Sequence, residues 1–341
     1  MSTTWLLTGG AGFIGANFAR FVIETRPDVS LINVDALTYS GNLENLAGLE
    51  SDARHEFVKG DVRDAGLMRE LIERSDAVVH MAAESHVDRS ILDSKPFIET
   101  NVGGTQTILD EARKIGSRRV LLVSTDEVYG ALPLDRPELL FTEETPLAPN
   151  SPYAASKACA DMLVRAAFHT FGLDVVTTRC SNNFGPYQFP EKVVPLFVTN
   201  LMEGKKVPLY GDGLNVRDWL HVIDHCEAII RVLEGGTAGE VYNIGGNNER
   251  SNLELTHSIL EIMGAGEGMI EHVADRPGHD RRYAIDASKI KNDLGWTPSR
   301  SAWPSALRET VAWYQGNEDW WKRVKSGAYR EFYARQYGGT P

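Results

Sequence analysis

The first twenty-five residues restrict the folds open to this chain. Trp5-Leu6-Leu7-Thr8 reads as a short apolar strand, and Ala16 to Thr25 as a helical run. Between them stands Gly9-Gly10-Ala11-Gly12-Phe13-Ile14-Gly15. The glycines read either as G-x-G-x-x-G from Gly10 or as glycines three apart at 9, 12 and 15. In both readings backbone N–H groups and a helix N-terminus converge on one point, as a pyrophosphate requires. A strand that feeds a covering helix points to a parallel sheet, whose neighbours are joined by such crossovers.

The next segments extend that unit. Leu31-Ile32-Asn33-Val34 ends at Asp35, twenty residues after Gly15. A carboxylate there accepts hydrogen bonds from an adenosine ribose and repels a 2′-phosphate. Arg and Lys are absent from Ala36 to Asn42, so NAD is expected rather than NADP. Phe57-Val58 and Gly60-Asp61-Val62 read as a third strand with Asp61 at its end, suited to the adenine amino group. Ala77 to Ala83 reads as a fourth strand, in which small Ala82 and Ala83 let a cofactor approach the backbone. His80 is expected in the core and His86 facing the site. Asp93 to Ile115 has helical spacing despite Gly103 and Gly104, which close packing against another backbone or a kink would explain.

Val120-Leu121-Leu122-Val123 is a continuous apolar run, the mark of a strand buried on both faces. Ser124-Thr125-Asp126-Glu127-Val128-Tyr129 follows it, where an open α/β sheet places its chemistry. Beyond it, Ser151 suits an N-cap and Pro152 the first helical position. Tyr153 and Lys157 then fall one turn apart on one face. A phenol that acts as a base near neutral pH needs its pKa lowered by roughly 3 units, about 4 kcal/mol. One cation ~5 Å away at an effective dielectric of ~20 supplies about 3 kcal/mol. Lys157 and an oxidised nicotinamide together would meet that need, and Lys157 would also hold the nicotinamide ribose.

Alternation of strand and helix to residue 180 gives a doubly wound sheet. After Cys180 the pattern is turn-rich, with helices expected near 193–203, 222–234 and 252–263. Ser251 and Glu254 suit a capping box for the third. A helical end carries Trp313, Tyr314, Trp320 and Trp321. The net charge of −12 argues against a nucleic-acid or anionic-membrane surface. No apolar run approaches the ~18 residues of a membrane span. Three scattered cysteines and a start without a signal-peptide pattern lead us to expect a cytoplasmic protein. His221 and His225 are i,i+4 but lack a third ligand, so no metal is expected.

Gly9 to Gly15, Tyr153 and Lys157 resemble the extended short-chain dehydrogenase/reductase superfamily. The likeness narrows further. Asp35 to Asn42, Ala82 to Asp88, Ser124 to Gly130 and Arg276-Pro277-Gly278-His279-Asp280 resemble the dTDP-glucose 4,6-dehydratases, over essentially the whole chain. The resemblance implies a Rossmann domain over 1–180, rejoined by about 214–245, and a smaller, mixed nucleotide-sugar domain over 181–341. It implies bound NAD that is never released, dTDP-glucose as substrate, and a homodimer through helices near 93–115 and 152–170.

The same resemblance assigns roles by position. Tyr153, with Lys157, would take the C4 hydroxyl proton, Thr125 would bond the C4 oxygen, Glu127 would take the C5 proton and Asp126 would protonate the departing C6 hydroxyl. Adjacent carboxylates raise one another's pKa, so one can stay an acid while the other is a base. NAD would be held by Gly9, Gly12, Phe13, Ile14, Gly15, Asp35, Ala36, Leu37, Thr38, Asp61, Val62, Ala82, Ala83, Ser85, Thr100, Tyr153, Lys157 and Asn183. Substrate contacts would come from Ser85, His86, Thr125, Asn182, Lys192, Val193, Pro208, Tyr210, Arg217, Asn252, Arg276 and His279. For Arg217 a surface pair with Asp218 is the alternative. Phe184 replaces a frequent tyrosine of the pattern, which bears on the polarity of the sugar pocket, and Pro304 opens a helix that usually starts with acids. Competing activities are a UDP-glucose 4,6-dehydratase, a 4-epimerase, which needs no acid pair, and an NAD sensor without turnover.

Overall fold

The computed structural model describes residues 3–116 and 118–326. The far ends of the two expected domains, 1–2 and 327–341, lie outside the described residues. Twelve strands occur among the described residues, in chain order β1 Thr3–Thr8, β2 Val29–Asp35, β3 His55–Lys59, β4 Ala77–His80, β5 Arg119–Thr125, β6 Val175–Cys180, β7 Asn182–Phe184, β8 Val207–Tyr210, β9 Val216–His221, β10 Val241–Ile244, β11 Glu249–Ser251 and β12 Ile270–Val273. Seven form one sheet in the order β10-β6-β5-β4-β1-β2-β3. All its pairings are parallel.

Continuous apolar runs are what such a sheet needs, because both faces are covered. In β5, Leu121 and Val123 pack with the helices Phe13–Thr25 and Val222–Gly235 on one face. Val120 and Leu122 pack on the other with Ala65–Glu73, Thr105–Ile115 and Pro152–Phe171. Alternate side chains therefore serve two cores, as the period of two dictates. The strand order reverses between β1 and β4, which opens a crevice at their carboxyl ends.

The helix Val222–Gly235 and β10 return to this sheet, whereas β9 does not. It lies between β11 and β7 in a three-stranded sheet, and β12 pairs with β8 in a two-stranded one. The later helices run Val193–Met202, Val222–Gly235 and Asn252–Met263. Ser251 and Glu254 form the capping box expected from their spacing. A third core gathers Phe184, Trp219, Tyr314, Trp320 and Trp321. Phe184 packs edge-on against Trp219, His221 and Trp303 and is fully buried. It does not line the main cavity.

Two expected elements differ. β3 ends at Lys59, so Asp61 and Val62 stand in the turn beyond it rather than in the strand. The stretch from Asp93 to Ile115 is broken into a short turn Lys95–Phe97, a π-helical segment Ile98–Gly104 and the α-helix Thr105–Ile115. The glycines do not serve backbone packing. A methyl at Gly103 would meet only the Ile98 carbonyl at 4.0 Å, whereas one at Gly104 would lie 2.6 Å from the Val62 side chain. The wide π turn aims Asn101 inward. Its amide bonds both the N–H and the carbonyl of Glu84 and the Ser156 hydroxyl, at 2.8–2.9 Å.

Candidate active site

The crevice between β1 and β4 is the floor of the main cavity. The Gly-rich turn forms one wall and excludes side chains by geometry. Gly9 has φ +76, and a Cβ there would sit 2.7 Å from the Ala82 backbone. A Cβ at Gly15 would sit 2.2 Å from the Gly9 carbonyl, while one at Gly12 would meet nothing closer than 3.4 Å. Gly12 is thus bare for the cavity's sake rather than for packing. Asp35 ends β2, with Oδ2 accepting from Ala11 N–H at 2.9 Å and Oδ1 from Leu37 N–H at 2.8 Å. Burial raises its pKa despite those bonds. Each oxygen keeps a lone pair for a further donor.

The reacting end lies past β5. A 3₁₀ turn, Asp126–Tyr129, starts directly at the strand end, capped by Thr125. Opposite it the helix Pro152–Phe171 begins, with Ser151 accepting from Ala154 N–H. This helix packs on β5 and β6 and brings Tyr153 and Lys157, both buried, to the cavity beside Ser124, Thr125, Asp126 and Glu127. Tyr153 is fixed by its N–H on Ser90 Oγ at 3.2 Å and by Phe97, edge-on at 6.3 Å. The Thr125 side chain beside it acts in the direction of a lower phenol pKa.

The protein's own groups do not activate Tyr153. Burial and the Glu127 charge push the phenol well above its ordinary pKa. The Lys157 ammonium donates to the Val123 carbonyl at 2.8 Å, and burial lowers its own pKa. The two acids differ from each other. Burial, then Glu127, then Asp218, raise Asp126 well above the usual carboxylate range. Its Oδ2 is buried with no hydrogen-bond partner. Burial also raises Glu127, but Arg276, Arg217 and Lys192 oppose it. Burial favours the neutral acid at both, and three cations oppose it at Glu127.

All the expected cofactor contacts line this cavity except Leu37, which has φ +54 and turns away. Of the substrate contacts, Ser85, Thr125, Asn182 and Lys192 line it. His86, Val193, Pro208, Tyr210, Arg217, Asn252, Arg276 and His279 do not. His86 is a correction. It caps the helix Val87–Leu92, accepting from Arg89 N–H, and lies buried beside Glu191. His80 is a core residue, bonded to Thr8 and Thr105. Arg217 is not a surface partner of Asp218. It is buried, donates to the Asp280 carbonyl at 2.9 Å and stacks over Tyr283, while Asp218 accepts from Gly246 and Asn248 N–H. Arg276 and Tyr210 meet at Asp88, and His279 packs edge-on to Tyr210. Arg217 and Arg276 act on Glu127 through their charge but stand outside the cavity wall.

The family model for GDP-mannose 4,6 dehydratase matches residues 6–305. A dTDP-glucose 4,6-dehydratase of Streptomyces niveus is 52% identical over 94% of this chain and 95% of its own. The chain belongs to the dTDP-glucose 4,6-dehydratase family. Within that family, DesIV of Streptomyces venezuelae, solved with NAD and dTDP bound, superposes with a TM-score of 0.91 at 52% identity, covering 95% of this chain and all of that one. The Bacillus anthracis member in complex with NAD gives 0.89 at 51%, again covering 95% of this chain and all of that one. Outside it, UDP-glucose 4-epimerase of Thermotoga maritima gives 0.83 at 29%, covering 93% and 100%.

The 4,6-dehydratase cavity of this chain fits a dinucleotide. It offers the bare glycine cradle, the Asp35 carboxylate, and two buried wall atoms without hydrogen-bond partners among the described residues, Ser124 Oγ and Asn182 Oδ1. Sequence reading missed Ser40, Gly41, Arg63, Glu84, Phe189 and Glu191, which also line it. Gly41 carried a signal, since a Cβ there would lie 2.6 Å from Asp35 Oδ1. The others are ordinary loop residues that only the fold brings to the wall. Among the described residues no helix is long and apolar enough to cross a membrane.

Proposed function

We propose that the chain is an NAD-dependent hydro-lyase that converts dTDP-glucose to dTDP-4-keto-6-deoxyglucose. One observation carries this reading: the buried phenol of Tyr153, the Lys157 ammonium and the Asp126–Glu127 pair share one cavity with a dinucleotide cradle. Bound NAD supplies the acceptor that takes a hydride from C4 and returns it at C6, and its oxidised ring adds a positive charge beside the phenol. Tyr153 removes the C4 hydroxyl proton, and Thr125 holds the C4 oxygen. The new carbonyl acidifies the C5 proton, which Glu127 removes. Asp126 gives its proton to the C6 hydroxyl, which leaves as water. Glu127 then returns a proton to C5. The proton gained by Tyr153 and the one lost by Asp126 balance, so the net change is loss of one water.

The acid pair separates this reading from two of its rivals. A 4-epimerase eliminates nothing and has no use for a buried proton donor at Asp126. An NAD sensor needs neither acid. Lys192 and Arg217, with Arg276, would face the diphosphate, and Pro208 and Tyr210 the base. A homodimer through the helical segments near 93–115 and 152–170 fits the exposed apolar side chains of Ile98 and Met162. Free Cys159, Cys180 and Cys226 suit a reducing cytoplasm. The test is side-by-side incubation with dTDP-glucose and UDP-glucose, read by the alkaline absorbance of a 4-keto-6-deoxy sugar. Turnover is expected with the thymidine nucleotide in preference, and no chromophore with either would end the reading.

A further inference from the structure

Asp88 takes no part in the steps above, yet its buried carboxylate joins two segments from distant parts of the chain. It stands in the helix Val87–Leu92, just past β4 of the large sheet. Oδ1 accepts from the Arg276 guanidinium at 3.0 Å, and Oδ2 from the Tyr210 hydroxyl at 3.2 Å. Tyr210 ends β8, and Arg276 lies in the loop after β12, so both belong to the two-stranded sheet. Asp275, Pro277 and Gly278 beside Arg276 are all exposed, and within the loop Asp275 bonds the Arg276 N–H and the His279 ring. The Arg276 charge also acts on Glu127.

We propose that Asp88 is a positioning residue for the nucleotide sugar, holding Arg276 away from Glu127 and aiming the guanidinium at the diphosphate and the Tyr210 ring at the base. The inference rests on the substrate reading above. A guanidinium binds carboxylate and phosphate through the same planar fork, so it serves a diphosphate only while its partner leaves part of that fork free. Asp88 takes a single bond through Nη1. Without it, Arg276 turns to Glu127, withdraws from the ligand and blankets the group that must accept the C5 proton. Tyr210 loses its anchor at the same time.

The experiment is a calorimetric titration of the purified, NAD-loaded chain with dTDP. Wild type is compared with Asp88→Ala, Arg276→Ala and the double variant. Loss of a charge-assisted bond that orders the site predicts a dTDP Kd raised about tenfold in Asp88→Ala. Because Asp88 acts largely through Arg276, the double variant is expected to fall well short of the two single effects multiplied together. The content of bound NAD stays at the wild-type level, which a general loss of structure would not allow. Asp88→Asn serves if the alanine variant does not fold, and it is expected to weaken dTDP several-fold by removing the ion pair alone. A Kd within about twofold of wild type, or fully multiplicative effects, overturns the proposal. A wild type that binds dTDP but does not dehydrate dTDP-glucose sinks the substrate reading, and the Kd comparison then still judges Asp88. A wild type that binds no dTDP overturns both.

Discussion

Lys157 Nζ donates to the carbonyl oxygen of Val123 at 2.8 Å, tying the helix Pro152–Phe171 to the strand end that carries Thr125. The ammonium thereby braces the site beside Tyr153. Activation of the phenol must then come when ligands fill the cavity, because burial and Glu127 hold its proton on.

Tyr153→Phe removes the acceptor of the C4 proton and leaves the ring packing on Phe97 intact. The first step is expected to slow by about 10²–10⁴. Single-turnover mixing with dTDP-glucose, followed by the absorbance of reduced nicotinamide, reads it. Unchanged appearance of reduced cofactor would remove Tyr153 from its role.

Glu127→Gln keeps the shape but cannot take the C5 proton. Reduced nicotinamide should form at close to the normal rate and persist, while the 4-keto-6-deoxy product falls by about 10²-fold or more. Water loss at the wild-type rate in this variant would show that another group abstracts the C5 proton.

Asp126 gives a pH signature in both activity and stability. Burial, reinforced by Glu127, raises its pKa. Elimination needs the acid form, so its rate should decline as pH rises through the raised value. The folded chain keeps a proton that the unfolded chain releases above about pH 4. Stability from this group is therefore full below that pH and is lost as pH rises through the folded value. Denaturant melts across the pH range should show a slope that Asp126→Asn flattens. An unaltered slope in the variant would place the proton elsewhere.

Gly12→Ala and Gly15→Ala should part company. A methyl at Gly15 lands 2.2 Å from the Gly9 carbonyl, a backbone atom that cannot yield cheaply. Loss of stability of about 2 kcal/mol or more is expected there. The same methyl at Gly12 has 3.4 Å to its nearest neighbour and enters the cavity, so the fold survives and NAD binding weakens. Thermal melts and the NAD content of the purified variants test the pair. Equal melting losses in both would contradict the geometry.

The sequence by itself determined the parallel sheet, the glycine cradle, the Asp35 carboxylate, the capped helix bearing Tyr153 and Lys157, and the placement of the acids past a buried strand. Each of these is set by neighbours a few residues apart: periodicity, a cap, a turn, a strand end. Tertiary structure decided the rest. It turned His86 inward to cap a helix, since a histidine beside Glu191 finds its partners there. It made a π turn of 98–104, because Asn101 has to reach both Glu84 and Ser156. It also separated Asp126 from Glu127 electrostatically, burying one and surrounding the other with Arg276, Arg217 and Lys192. Charges act through space, and the residues that tune that pair lie up to 150 positions away along the chain.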